Sequence, residues 1–217
     1  MIKDIVLFEI EEWAQQKLSD CEAGHDWWHI IRVRNNAKLI HKREGGDWNV
    51  ILLAVLLHDI ADTKFFDEVE SLMLIDQKLQ EYQIDQTTID HVIKIIQNLS
   101  FSKQWTENSF SSLELQVVQD ADRLDAIGAV GIARAFSYGG HKDRDFYNPD
   151  ISPQEYRSQE EYRSSNSPTI NHFYEKLLLL KDKMNTKTGS SMAKERHRFM
   201  ERYLEQFFNE WGSNDEE

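Results

Sequence analysis

An all-α fold is predicted for this chain on three observations. Only three prolines and nine glycines occur in 217 residues, and every proline lies after residue 148. Apolar residues before residue 140 recur at three- and four-residue spacing, the period of a helix face. Nowhere does a convincing alternation of apolar and polar residues mark a strand.

The elements follow in order. Residues 2–18 read as a first helix, with Ile5, Phe8, Glu9 and Trp13 on or near its apolar stripe. A polar break over 19–24 precedes Asp26, which opens a long helix to about Arg43, stopped by Gly45 and Gly46. Val33, Ala37 and Ile40 keep its apolar side inward. Asp47 is an N-cap, and the run over 50–57 behind it is apolar nearly all round, so that helix belongs in the core. After a loop over 60–66, residues 68–82 form the next helix, and Asp85 caps another over 87–100. A polar loop over 101–111 leads to a helix over 113–125 and one from 126 to about 138. Ala121, Ala126, Gly128, Ala129, Gly131 and Ala133 predict close helix packing. No strand precedes these glycines, so they do not form a phosphate loop. Residues 139–167 carry Gly-Gly, Asn-Pro, Ser-Pro and many charges, and read as a long loop insertion. Two amphipathic C-terminal helices are expected over 169–184 and 192–211, the first opened by Ser167-Pro168. No internal repeat or linker divides the chain, which predicts a single domain over 1–217.

Composition narrows the function classes. Hydrophobic residues make up 40% and there are six tryptophans, enough for a sizeable core. A net charge of −13 argues against wrapping a nucleic-acid polymer. An anionic small substrate is still compatible, because a metal and a few local cations reverse the field inside a cleft. Cys21 is the only cysteine, so neither an intramolecular disulfide nor a cysteine-rich zinc site can form. No signal-peptide layout opens the sequence, and no apolar run approaches a membrane span, so a soluble, cytoplasmic protein without membrane contact is expected.

Chemistry concentrates in three stretches. His58 and Asp59 end the apolar run, which places an imidazole and a carboxylate where water is scarce. Alone, such a dipeptide reads as a helix cap. Two further stretches change this: His25-Asp26-Trp27-Trp28-His29-Ile30-Ile31-Arg32-Val33 and Gln119-Asp120-Ala121-Asp122-Arg123-Leu124-Asp125. Their order resembles the HD-domain superfamily of metal-dependent phosphohydrolases, over about residues 24–134. Within it, the fuller strings are similar to the YedJ/YpgQ type of nucleotide pyrophosphohydrolase.

The resemblance implies that His29, His58, Asp59 and Asp122 ligate a metal. Two imidazoles and two carboxylates suit Mn²⁺, Fe²⁺, Co²⁺ or Zn²⁺ better than Mg²⁺. Family likeness tips the choice to Mn²⁺, with Ni²⁺ a further alternative. Dinuclear relatives add ligands between the HD pair and the last Asp, where this chain has only His91, in mid-helix. One metal at a time is therefore expected, which disfavours the di-iron oxygenase branch.

A divalent ion lowers the pKa of water enough for attack on phosphorus at neutral pH. Cations must then steady the phosphate charge. Lys64 and Lys103 are candidates, each with a solvated loop lysine as its other reading. His25, one turn before His29, is a candidate phosphate contact or proton donor, or else a helix-entry residue. Asp62, three residues past Asp59, can orient the attacking water or simply make a turn. Arg123 points off the ligand face and is expected to pair with Asp125 or a helix end. In the late cluster Asn171-His172-Phe173, Phe173 reads as core with Leu177 and Leu180, and the rest as surface.

The resemblance implies hydrolysis of a (deoxy)nucleoside triphosphate to monophosphate and pyrophosphate. Alternatives are a triphosphohydrolase, a 5′-nucleotidase, or a non-catalytic nucleotide-binding regulatory domain. A guanosine tetraphosphate hydrolase is disfavoured, because Thr63-Lys64 replaces the acidic pair found after HD in those enzymes.

Overall fold

The computed structural model describes residues 2–18, 27–61, 67–99, 110–156, 161 and 165–212. Among these residues the regular structure is helical throughout. They form two compact units, Met1–Asp122 and Arg123–Glu217.

The first unit is built around one helix. Residues Trp48–Leu57 form α3, and Val50 to Leu57 are all buried. Asp47 caps it as expected, its side chain accepting from the backbone N–H groups of Asn49 and Val50. The Asp47 N–H is in turn taken by Glu114 at 2.9 Å. Helices α1 (Asp4–Lys17), α2 (Trp27–Glu44) and α5 (Gln86–Leu99) pack against α3. Helix α4 (Glu68–Glu81) packs on α5. Asp67 and Asp85 cap α4 and α5 through the amides of Glu70 and Thr88.

The inward side of α2 is as predicted, with Val33, Ala37 and Ile40 fully buried. The buried stripe of α1 differs. Ile10, Ala14 and Leu18 face inward, while Ile5 and Phe8 are exposed. Apolar residues lie on both sides of this helix, so periodicity gives the period of the stripe and leaves its phase open.

Helix α6 (Leu113–Asp125) has the predicted bounds. Ser112 opens it, with Oγ accepting from the Leu115 amide. His91 Nε2 lies 3.0 Å from that same Oγ and 3.6 Å from Glu114.

In the second unit, α7 (Gly128–His141), α8 (Thr169–Glu175), a 3₁₀ segment (Leu177–Lys183) and α9 (Lys187–Trp211) pack together. The single helix expected over 169–184 is split. At Lys176 the backbone leaves helical geometry (φ −145°, ψ −56°), and four consecutive leucines continue as a 3₁₀ helix. Phe136, Phe173 and Tyr203 meet one another, and Phe207 carries the aromatic contacts on to Tyr147 and Trp211.

Close helix packing by small residues holds at two glycines. Gly128, at φ +77°, lies under the Arg196 side chain of α9, and a Cβ on Gly139 would strike the Thr169 hydroxyl at the start of α8. Asn171, expected at the surface, is buried and donates to the Ile151 carbonyl.

Candidate metal centre

Helix α2 and the end of α3 carry three donor residues to one point, and α6 places Asp122 beside one of them. At the end of α3 the backbone tightens into a 3₁₀ turn, His58–Ala61, whose four residues are all buried. His58 is the C-cap residue of α3, and its Nδ1 donates to the Val55 carbonyl at 2.8 Å. A carbonyl oxygen only accepts, so Nδ1 holds a proton, and Nε2 is the nitrogen left to carry a lone pair toward a metal. That Nε2 lies 3.2 Å from Asp59 Oδ1.

His29, in the first turn of α2, brings its Nε2 to 3.6 Å from Asp59 Oδ2 and 3.4 Å from Asp122 Oδ1. The two imidazole rings stand 5.5 Å apart, tilted by 60°. His29, His58 and Asp59 each place a donor atom within 4.8 Å of the others, and all three residues are buried. The Asp122 side chain, 39% exposed, is the member turned toward solvent.

Three of the four sequence-predicted metal residues, His29, His58 and Asp59, are thus brought together, and Asp122 lies beside His29. Their donors are electron-rich and repel at these separations unless cations lie among them. A proton can bridge a single gap, whereas one divalent ion serves every gap at once. Ligands bonded at about 2.1 Å, at angles between octahedral and tetrahedral, stand about 3.0–3.4 Å apart. The observed separations of 3.2–3.6 Å lie within or just above that span, and the donor chemistry suits a divalent ion. The Nδ1–carbonyl bond of His58 is the kind of support that fixes ring orientation in metal-binding histidines.

The substrate-side candidates His25, Asp62, Lys64 and Lys103 lie outside the described residues, as does Asp26. His91 is half-buried and engaged by Ser112 and Glu114. Among the described residues, His29, His58 and Asp59 are the only such metal-capable group of three. Arg123 takes the helix-end role, donating to the Lys183 carbonyl where the 3₁₀ segment ends, and Asp125 pairs with Arg134 at 2.5 Å.

Sequence reading passed over Asn36. It is a buried polar residue within the stripe of Val33, Ala37 and Ile40, and its Nδ2 donates to the Ala121 carbonyl at 3.1 Å. A polar residue at a core position of an amphipathic helix was the available signal.

Comparison with known proteins agrees with this geometry. The HD domain family profile matches residues 27–127. The uncharacterized protein YpgQ of Bacillus subtilis is 38% identical over 200 residues, covering 91% of this chain and 90% of YpgQ. A crystal structure of YpgQ in complex with ADP aligns with a TM-score of 0.78 at 37% identity, covering 97% of each chain. A crystal structure of an HD-superfamily hydrolase from Bacillus thuringiensis aligns with a TM-score of 0.77 at 40% identity, covering 96% of this chain and 97% of that one. With an all-α fold, a His-His-Asp cluster suited to a divalent metal and relatives matched along nearly its whole length, the chain belongs to the HD-domain family.

Proposed function

We propose that the protein is a metal-dependent phosphohydrolase that converts (deoxy)nucleoside triphosphates to monophosphate and pyrophosphate. The observation that carries this reading is the buried cluster of His29, His58 and Asp59, with Asp122 beside His29. We assign these four as ligands of one divalent ion; their mixed nitrogen and oxygen character suits Mn²⁺, Fe²⁺, Co²⁺ or Zn²⁺, and the family likeness favours Mn²⁺. Nucleotide recognition is supported by the relative crystallised with ADP. The choice of bond rests on the resemblance to the YedJ/YpgQ type.

Bound there, a divalent ion would acidify water and polarise a phosphoryl oxygen. The chain's own groups supply the rest. Asp59 and Asp122 would offset the charge of such an ion. The Val55 carbonyl holds the His58 ring, and the burial of His29, His58 and Asp59 strengthens their electrostatics. We assign Asp62 to orienting the attacking water, Lys64 and Lys103 to phosphate oxygens, and His25 to phosphate contact. In the net reaction water adds to the α or β phosphorus, the bond from that phosphorus to the bridging oxygen breaks, and monophosphate and pyrophosphate are released. A cytoplasmic setting suits such a substrate, and among the described residues no helix is long and apolar enough to cross a membrane.

The test is product chromatography with a panel of nucleotides and Mn²⁺, run in ¹⁸O-water. Monophosphate with pyrophosphate is the expected pair. Label in the monophosphate identifies attack at the α phosphorus, and label in pyrophosphate identifies attack at β. Orthophosphate with diphosphate, or intact tripolyphosphate, would contradict the proposal.

A further inference from the structure

We infer that Asn36 is a positioning residue for the metal centre, holding the peptide unit that carries Asp122; this rests on the metal reading above. Asn36 follows His29 by seven residues on α2, two turns on and facing nearly the same way. Its neighbours on that side, Val33, Ala37 and Ile40, are apolar and fully buried. A carboxamide placed there costs desolvation unless it is bonded.

The bond it makes is specific. Nδ2 donates to the Ala121 carbonyl at 3.1 Å in a buried setting. That carbonyl and the Asp122 amide belong to one planar peptide unit, so the bond fixes the plane from which the Asp122 side chain departs.

Helix α2 therefore meets residues 121–122 of α6 at two points. One is His29 Nε2, 3.4 Å from Asp122 Oδ1, and the other is Asn36 on the preceding peptide. Glu114, accepting from the Asp47 N–H, and Gln119, donating to the Asn98 carbonyl, tie the earlier turns of α6. A single contact from α2 would therefore leave the last turn, with Asp122, the part free to roll. A roll of about 10° moves a side-chain tip, about 5–6 Å from the axis, by roughly 1 Å. Metal ligation tolerates only about 0.2 Å. The second contact removes that freedom, and it needs a donor, because its partner is a carbonyl.

The experiment measures Mn²⁺ affinity by titration calorimetry on the full chain, beside the thermal midpoint of the metal-free protein. Asn36→Leu fills similar space without a donor and should raise the Mn²⁺ Kd about 10–100-fold, with the helical circular dichroism retained. Asn36→Ala, smaller and helix-favouring, should show the same weakening and serves if the leucine variant fails to fold. Ser112→Ala removes the cap at the far end of the same helix. It should lower the midpoint and leave the Kd within about threefold of wild type. A wild-type Kd in the Asn36 variants would overturn the inference. So would equal weakening in Ser112→Ala, which would show that any loosening of α6 has the same effect. Failure of the metal reading itself is distinguishable, since wild-type protein would then bind no Mn²⁺ in the same titration.

Discussion

His58 uses its two ring nitrogens differently. Nδ1 is committed to the Val55 carbonyl, and this fixes Nε2 as the atom facing Asp59. The cap reading and the proposed ligand reading are therefore compatible, since capping the helix is what aims Nε2 toward Asp59. Residues proposed to touch phosphate should behave differently from those proposed to hold metal. Lys64→Ala and His25→Ala are expected to retain stoichiometric Mn²⁺ by elemental analysis. Each should lose turnover by about 10²–10³-fold if it stabilises charge in the transition state. Loss of metal in either variant would move that residue into the ligand set, and unchanged kinetics would return it to a bland loop or helix-entry role.

Elements explain why some of this was legible in the sequence. Asp47 followed by an unbroken apolar run has one good solution, a capped core helix, and α3 is that helix. The bounds of α6 were likewise set by a polar loop before it and small residues after it. The 169–184 segment was misread because four leucines satisfy helical spacing in either α or 3₁₀ geometry. Asn171 was misread because an amide buried by a distant carbonyl leaves no local mark. The proposed ligand set rests on ordered motifs, whereas the spacing of its donors required the fold. Asn36 could be noticed only as a polar interruption, because its partner lies 85 residues away. Removing the α3 cap tests this scale. Asp47→Ala should cost about 1 kcal/mol. That corresponds to a fall of about 2–4 °C in the thermal midpoint, read by circular dichroism. No change would mean that burial alone sets the start of the helix.

For the whole molecule, pH and metal are the relevant variables. Burial, with Lys176 and Arg144 nearby, lowers the His172 pKa to about 3. The folded protein thus keeps His172 neutral where the unfolded chain protonates it. The associated stability is complete above pH 6.5 and drains away as pH falls toward about 3. At pH 5 the loss is about 2 kcal/mol. Glu114 adds to the loss at lower pH. Desolvation raises its pKa, but the Asp47 amide, its own backbone, His91 and Ser112 together hold it below the usual value. Its contribution is present above the carboxylate range and lost below it. His172→Gln should flatten the fall in unfolding midpoint between pH 6.5 and 5, and an unchanged slope would remove His172 as the cause. The central claim, that four residues from three helices hold one divalent ion, is tested most directly by metal content. Wild-type protein, stripped and reloaded with Mn²⁺, should carry about one ion per chain. His58→Ala and Asp59→Ala should carry none and hydrolyse no nucleotide, with helical circular dichroism near that of the wild type. Either variant retaining a full complement of Mn²⁺ and full activity would contradict the account.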